Sequence, residues 1–325
     1  MITFPLTPEQ TWCYPLADWG LIQLRGDDRQ RFLHNQSTNA IAGRSPGQWL
    51  ETVFVTSTGR TLELATVYVQ QENLWIQVSA AQVDPLLAWM DRFIFPFDKV
   101  ELENLSPRYQ AIIFGGEKAG KILEDWGLSL PNGDRWLSQT WQDTDVYVIP
   151  TTGLDFPGYT LIYPAEKQAL LAAHWQGLPS LNDPQWETLR IQQGRPQAGQ
   201  ELTEDYNPLE AGLWRAVSFD KGCYIGQETI ARLNTYKGVK QRLWGIKFDE
   251  PVLVGSIITL EGQKVGMVTS VSPLMPWGLG YLKTKLVEPG MGVEVGDLRG
   301  TVTPTPYLSP VSYTHLRAHE TKANL

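Results

Sequence analysis

The segment KGCYIGQET, residues 221–229, concentrates side chains that could do chemistry. Cys223 is one of two cysteines in the 325-residue chain, and Lys221 precedes it by two positions. The next residues, GQETIARL, predict a helix with Gly226 near its start, so Cys223 would lie just ahead of a helix N-terminus. The helix dipole, free amides and a nearby ammonium all favour a thiolate. The segment therefore indicates either a reactive or metal-binding thiol, or a buried structural cysteine in a tight turn.

A second group of candidates lies in the stretch WETLRIQQGRP and near the start of the chain. Helical spacing places Trp186 and Arg190 on one face. An aromatic ring beside a guanidinium can bind a flat, anionic ligand, although a surface cation–π pair has the same pattern. Trp19, in ADWG before the first predicted strand, is a further aromatic candidate. Glu210, in the predicted turn NPLEAG, is either an acidic ligand contact or a solvated cap.

The histidines offer little support for catalysis. Two of the four, His315 and His319, lie in the terminal stretch VSYTHLRAHETKANL, which lacks apolar periodicity and is typical of read-through from a cloning vector. We therefore predict that residues 309–325 are a vector-derived tail. The other two, His34 and His174, are not close to Cys223 in sequence, so a protease-like cysteine–histidine dyad is not indicated.

Composition narrows the classes of function. The formal net charge is −8 and there is no basic run, which disfavours direct binding to nucleic acid. No stretch approaches the roughly 20 apolar residues of a membrane helix, and the first residues do not have the pattern of a signal peptide. Two cysteines supply neither a disulfide framework nor a four-cysteine metal site. We therefore expect a cytoplasmic protein with no metal site, no membrane partner and no direct nucleic-acid partner.

The elements that would position these residues follow from the pattern of the chain. Residues 48–69 predict a β-hairpin in which Gly59 provides the positive φ of the turn. The stretch DPQWETLRIQQG predicts a helix capped by Asp183 and ended by Gly194. From Val239 onward the chain becomes a series of short strands with frequent Gly and Pro, typical of a small β-barrel or sandwich. The pattern predicts an α+β fold with a separate C-terminal β domain.

Taken in order, these motifs resemble the folate-binding family of the glycine cleavage T-protein, the aminomethyltransferases. The stretch KGCYIGQE is similar to the signature of its YgfZ-type subgroup. Supporting stretches follow in family order over about residues 14–308: ADWGLIQLRGDDRQRFLHNQSTN, STGR, TTGLDFPGYTLIY, WETLRIQQGRP and NPLEAG. The resemblance implies a three-domain, ring-like arrangement with a C-terminal β-barrel. The implied divisions are a discontinuous first domain (1–48 and 142–238), a second domain (49–141) and the barrel (239–308).

The resemblance also implies a function. Tetrahydrofolate or a derivative would bind near the centre, in contact with Trp19, Trp186 and Arg190, while Cys223 would be the functional cysteine of the subgroup. The implied role is assembly or repair of iron–sulfur clusters, particularly under oxidative stress. The implied partners are iron–sulfur enzymes or cluster-assembly proteins, including tRNA-modifying enzymes, without direct contact with tRNA.

Two departures from the T-protein pattern bear on catalysis. Pro157 stands where the T-protein carries a glutamate that helps hold the pterin, and Glu63 and Leu64 replace its paired aspartates. Both differences argue against aminomethyl transfer in glycine cleavage, and they leave the acidic pterin contact unassigned. Whether the chain is an enzyme is therefore open. The alternatives are a tetrahydrofolate-dependent aminomethyltransferase or demethylase, and a folate-binding scaffold with a structural cysteine.

Overall fold

A computed structural model describes residues 4–235 and 238–308. The predicted vector-derived tail, 309–325, lies outside the described residues. The α-helices are α1 (Arg29–Gln36), α2 (Val83–Asp91), α3 (Ala119–Asp125), α4 (Gln168–Trp175), α5 (Asp183–Gln193) and α6 (Gln227–Thr235). The first ten strands are β1 (Trp12–Pro15), β2 (Gly20–Arg25), β3 (Trp49–Val55), β4 (Thr61–Val69), β5 (Asn73–Val78), β6 (Glu101–Asn104), β7 (Tyr109–Gly115), β8 (Leu137–Trp141), β9 (Thr144–Ile149) and β10 (Gly158–Pro164). The last six are β11 (Gln241–Phe248), β12 (Ile257–Leu260), β13 (Gln263–Val271), β14 (Trp277–Lys283), β15 (Gly292–Val295) and β16 (Leu298–Thr303).

Two five-stranded antiparallel sheets make up the α+β part. One has the strand order β1-β7-β10-β9-β8 and the other β3-β4-β5-β2-β6. Helices α3 and α4 pack on the first sheet through Leu123 and Leu171, and α1 and α2 pack on the second through Leu33 and Leu86. A further core of aromatic and aliphatic side chains contains residues of both sheets, among them Trp75 of the second and Ile162 of the first. The two sheets are therefore joined by a common apolar layer.

The last six strands close into a barrel with the order β11-β14-β13-β12-β15-β16. Closure leaves no free sheet edge. Alternate side chains of its strands, such as Ile246 and Val268, fill the barrel interior. The predicted α+β fold with a C-terminal β-barrel is confirmed, and so is the predicted hairpin, which consists of β3 and β4 joined by a turn that contains Gly59 at a φ of +73°.

Strand pairing crosses two of the predicted domain boundaries. Strand β2, placed in the predicted first domain, pairs with β5 and β6 of the predicted second domain. Strands β7 and β8, placed in the predicted second domain, pair with β1, β10 and β9 of the predicted first. By hydrogen-bonded sheets, the chain passes from the first sheet to the second between β1 and β2 and returns to the first near residue 105. The predicted division into domains stays a prediction. These pairings join distant segments, and local pattern carries no signal for them.

Candidate functional site

A central cavity of about 310 Å³ lies between the two five-stranded sheets and helix α5. Strands β4 and β5 form one wall, and β1, β7 and β10 form the other. The remaining lining comes from α5, the segment that follows it, and the loops around residues 16–18 and 151–153. Its charged lining residues are Asp18, Glu63, Asp183, Glu187, Arg190 and Arg195. A cavity of this size, partly aromatic and with several polar groups, has the properties of a small-molecule site.

Helix α5 is held by its two ends. Asn182, and not Asp183 as predicted, is the N-cap, and it forms a reciprocal capping box with Gln185. At the other end, Gly194 adopts the left-handed conformation with a φ of +82°, as the sequence predicted for the helix stop. The cap lies one residue before the predicted position because only the Asn182 side chain reaches the Gln185 amide. Fixed in this way, α5 aims Trp186 and Arg190 towards the cavity.

Trp186 forms an aromatic wall of the cavity. Its ring stacks on Tyr14 of β1 at a centroid distance of 4.6 Å and an interplanar angle of 10°. The Tyr14 hydroxyl donates to Asp183 Oδ1 at 3.2 Å, and burial together with that carboxylate raises the Tyr14 pKa. The pair is a preformed flat surface against which a planar ligand can lie.

Arg190 lines the cavity but its hydrogen-bond donors are already engaged. Nε and Nη2 donate to the two oxygens of Glu187, and Nη1 donates to Glu201 Oε2 and to the Arg195 carbonyl. Nη2 also donates to Gln200 and to Ser270 of the barrel. Its side chain is only 4% exposed. Arg190 therefore connects α5 to the barrel and orients Glu187, whereas the sequence predicted that it contacts a ligand directly.

Glu63 on β4 contributes a carboxyl group with unused hydrogen-bonding capacity. The residue is 3% exposed, and Oε1 accepts the Leu64 amide at 3.0 Å. Oε2 has no hydrogen-bond partner among residues 4–235 and 238–308. Burial raises the pKa of Glu63 to about 7, although the Ser79 side chain and the positive charge of Arg195 oppose this shift. A buried polar atom without a partner costs free energy, so a ligand that donates to it gains affinity.

Arg195 is the second arginine that lines the cavity, and unlike Arg190 it has nitrogen atoms that donate no hydrogen bond within the described residues. Its Nη1 donates to Glu51 Oε1, to the Gly153 carbonyl and to the Tyr307 hydroxyl. In the described part of the chain no hydrogen bond involves Nε or Nη2, and the side chain is 20% exposed. Two donors of Arg195 are therefore available to a ligand. The local sequence carries no signal for this role of Arg195, because the acceptors lie far away in the chain.

Trp19 does not line this cavity. It is 8% exposed and packs in the apolar layer between the sheets, where its Nε1 donates to the Tyr109 carbonyl at 3.2 Å. Its edge borders a separate depression of about 510 Å³ on the other side of Tyr14. Of the predicted aromatic pair, the structure brings only Trp186 to the central cavity.

The predicted acidic contact Glu210 is also outside the cavity. It is 7% exposed, and Oε2 accepts the Asn207 amide at 3.1 Å in the NPLEAG turn. Arg60 Nη1 lies 3.9 Å from the same oxygen. Burial raises the Glu210 pKa in spite of these partners. Glu210 therefore stabilises the turn as a buried group, and it is not the solvated cap of the alternative.

Lys221 anchors the KGCYIGQE segment to the end of α1. Its ammonium donates to the carbonyls of His34, Ser37 and Asn39, the last two at 2.7 and 2.8 Å. It also lies 4.7 Å from the centroid of the Tyr224 ring. Since no carboxylate compensates for burial, the Lys221 pKa falls to about 7. The lysine thus satisfies carbonyls that the helix end leaves without partners.

Cys223 is exposed at the surface and free, while the other cysteine, Cys13, is buried in β1. Helix α6 begins at Gln227, so Cys223 does precede a helix start as predicted. It is not a buried structural cysteine, and it does not line the central cavity. The segment reaches the cavity region indirectly, since Gly226 packs against the hairpin turn at Gly59.

Neither candidate histidine meets the thiol. His174 packs against Trp141 and Trp126 at ring distances of 4.6 and 5.9 Å. His34 accepts the amides of Ile41 and Ala42 through Nδ1. Over the described ranges, no three His, Cys, Asp or Glu side chains are grouped in a way that could hold a metal ion. The helices in those ranges are also too short or too polar to cross a membrane.

No family model matches the chain, but several known proteins are similar to it in sequence or in fold. It is 36% identical over 323 residues to a chloroplastic protein of Arabidopsis thaliana named as a putative transferase, with 95% of this chain and 72% of that protein covered. It is 29% identical over 310 residues to an aminomethyltransferase of Caldanaerobacter subterraneus, covering 87% and 79% of the two chains. An aminomethyltransferase of Listeria monocytogenes is 29% identical over 327 residues, with 90% and 85% covered. The fold matches that of the glycine cleavage system aminomethyltransferase T from Bartonella henselae with a TM-score of 0.81 at 18% identity, covering 93% of this chain and 87% of that one.

Proposed function

We propose that this chain, which belongs to the aminomethyltransferase family of the glycine cleavage T-protein, binds tetrahydrofolate or a derivative in its central cavity and acts as a YgfZ-type accessory protein for iron–sulfur cluster assembly or repair. The observation that carries the ligand assignment is the unpartnered Oε2 of Glu63 in a cavity that also offers the free donors of Arg195. A pterin ring presents N–H donors beside a carbonyl acceptor on one planar edge. The Trp186–Tyr14 stack supplies a flat surface for such a ring.

The chemistry of the cavity complements a pterin in two further respects. A carboxylate accepts from the ring N–H groups, and the guanidinium donates to an acceptor oxygen or nitrogen. The ligand then supplies the partner that Glu63 lacks, which favours its ionised form. We therefore expect the Glu63 pKa to fall from about 7 when the ligand binds. Near neutral pH, binding should release part of a proton to the buffer.

Calorimetric titration with tetrahydrofolate under reducing conditions tests the ligand assignment. The observed enthalpy should vary with the ionisation enthalpy of the buffer at pH 7, and this dependence should vanish in Glu63→Gln. Trp186→Ala should bind more weakly, while Trp126→Ala, which removes an indole outside the cavity, serves as the matched control. Absence of binding by the parent chain would overturn the proposal.

The iron–sulfur role depends on the surface segment and not on the cavity. Cys223 is exposed, so a partner protein can reach its thiol, and Lys221 fixes the segment to the end of α1. In cells that carry only a Cys223→Ala version of this chain, we expect lower activity of iron–sulfur enzymes while the purified variant still binds folate. Full activity of those enzymes would remove Cys223 from the proposal. The indirect link to tRNA-modifying enzymes and the cytoplasmic location stay predictions of the same proposal.

Transfer of an aminomethyl or methyl group to the folate is the second candidate function. It is favoured by the position of Glu63, an acidic group in the cavity on the second strand of the hairpin. A carboxyl with a pKa near 7 can take or give a proton at neutral pH. The decisive assay measures methylene transfer from an aminomethyl carrier by the purified chain. Turnover that disappears in Glu63→Gln would support an enzyme, and folate binding without turnover would reject it.

A further inference from the structure

The chain returns from the barrel to the rim of the central cavity. After β16, residues 304–308 run back across the end of α5, and we call them the strap. The Tyr307 amide donates to the Gln193 carbonyl at 2.9 Å. Thr305 lies so close to Gly194 that a Cβ on that residue would be 2.2 Å from its hydroxyl oxygen, and Leu308 packs beside Gly212. Glycine is therefore required at the end of α5 for the strap to pass.

Tyr307 connects the strap to the cavity cation. The residue is 5% exposed, and its hydroxyl accepts from Arg195 Nη1 at 2.8 Å while it donates to Glu51 Oε1 at 2.6 Å. Arg195 Nη1 also lies 2.9 Å from the same Glu51 oxygen, so the three groups form a closed triangle. The Arg195 guanidinium carbon lies 5.2 Å from the centre of the Tyr307 ring. Burial and the Glu51 carboxylate raise the pKa of Tyr307 far above its ordinary value, so the phenol stays protonated.

The strap is itself held from the side away from the cavity. Arg215 donates through Nη2 to the Tyr307 carbonyl at 2.8 Å, and its guanidinium carbon lies 5.6 Å from the ring centre. The Tyr307 ring is thus packed beside two guanidinium groups, of which only Arg195 lines the cavity. Three distant parts of the chain meet here: Glu51 on β3, Arg195 after α5, and Tyr307 after the barrel.

We infer that Tyr307 is a positioning residue of the ligand site, which acts by fixing the Arg195 guanidinium beside Glu63. The barrel then contributes to the cavity through the strap, although its strands do not line it. The inference rests on the proposed function for the identity of the ligand. The effect of Tyr307 on the Glu63 pKa, through Arg195, does not require a bound ligand.

The electrostatic consequence can be measured in the free protein. Arg195 lowers the pKa of Glu63, whereas burial and the negative charge of Asp18 raise it. Loss of the Tyr307 hydroxyl removes one of the three acceptors that hold Arg195 Nη1. The guanidinium is then held less firmly in the cavity that it shares with Glu63, so the Glu63 pKa should rise. The remaining charged groups that line the cavity are Asp183, Glu187 and Arg190. Since none of them bonds to Tyr307, they leave the sign of this effect unchanged.

The test uses Tyr307→Phe in the full chain, with glutamate carboxyl carbons labelled by ¹³C. The Glu63 resonance is assigned by its absence in Glu63→Gln, and its titration midpoint is followed by NMR. We expect the midpoint to rise by about half a pH unit or more, and tetrahydrofolate to bind about tenfold more weakly, as for the loss of one hydrogen bond to a charged group. Tyr163→Phe is the matched control, since the hydroxyl that it removes bonds, among the described residues, only Gln110 and not Arg195. In this control both readouts should match the parent.

The possible outcomes separate the two proposals. A folded Tyr307→Phe protein with an unchanged Glu63 midpoint overturns the positioning role, whatever the ligand. A raised Glu63 midpoint in Tyr307→Phe, together with a parent chain that does not bind folate, supports the positioning role and refutes the ligand assignment. If Tyr307→Phe does not fold, Arg215→Met loosens the strap from the outer side. It should shift the midpoint in the same direction by a smaller amount, and no shift there overturns the inference.

Discussion

Replacement of Glu63 by glutamine should stabilise the protein at high pH and have little effect at low pH. Glutamine has the shape of a neutral carboxyl group, so the substitution removes mainly the cost of ionisation inside the protein. The pKa of Glu63 lies at about 7, against an ordinary value of 4.5 in an unfolded chain. At about 1.4 kcal/mol for each pH unit, ionisation of the buried carboxyl costs about 3 kcal/mol.

The sign follows from the direction of the shift. Because the folded state holds the Glu63 proton more tightly than the unfolded state, rising pH destabilises the parent between about pH 4.5 and pH 7. Above pH 7 both states are ionised at this position and the penalty is constant. The advantage of Glu63→Gln should therefore grow from near zero at pH 4.5 to about 3 kcal/mol at pH 8.

Thermal unfolding of parent and variant at several pH values measures this difference. For a chain of this size, about 3 kcal/mol corresponds to a rise of roughly 5–10 °C in Tm at pH 8. Glu117→Gln, at an exposed carboxyl group, is the control and should show no such trend. If the stability gained in Glu63→Gln is equal at pH 5 and pH 8, or appears only at pH 5, then burial does not raise the Glu63 pKa. Bound tetrahydrofolate should reduce the advantage, since it supplies the missing partner.

Three further predictions concern the KGCYIGQE segment. Lys221→Met should lower the free energy of unfolding by about 1–3 kcal/mol, measured by urea unfolding, because three carbonyls lose their donor. A thiol reagent should label Cys223 alone in the folded protein and Cys13 also after unfolding; two labels before unfolding would contradict the burial of Cys13. Gly226→Ala should destabilise by at least about 1 kcal/mol in the same urea assay, because φ is +79° and a Cβ would lie 2.6 Å from a backbone oxygen. Gly222→Ala, with open space around its Cα, should be close to neutral, and equal effects at both glycines would contradict the close packing.

The sequence predicts secondary-structure elements and their ends, but it does not predict which distant segments pair or bond with each other. The hairpin, the helix stop at Gly194 and the barrel strands follow from turn residues and periodicity within a few positions, and the structure confirms them. The helix cap was one residue off because Asn182 and Asp183 are both good caps and only tertiary position separates them. The pairing of β2 with β5 and β6 has no local signature, so the division of the sheets was not predictable.

The same distinction applies to the site. Helical spacing predicted Trp186 and Arg190 on one face of α5, and both side chains line the central cavity. It gave no information on the acceptors of Arg190, since Glu201 and Ser270 lie 11 and 80 residues further along the chain. The sequence does contain a signal for Glu63, which is the one charged residue in the apolar strand TLELATVYV. A charged side chain in a buried strand is rare unless it has a partner or a function.

The hairpin turn provides a physical connection between the surface motif and the cavity. Gly226 of the motif packs against Gly59, where a Cβ on Gly226 would lie 2.9 Å from the Gly59 Cα. Two residues after this turn β4 begins, and Glu63 is its third residue. A displacement of the KGCYIGQE segment, for example by a partner at Cys223, would therefore press on the start of the strand that carries the cavity carboxyl. Since both residues are glycines, the contact is between backbone atoms, and no side-chain rotamer change at these two positions can relieve it. The motif and the central cavity are separate in space but both contact the same hairpin.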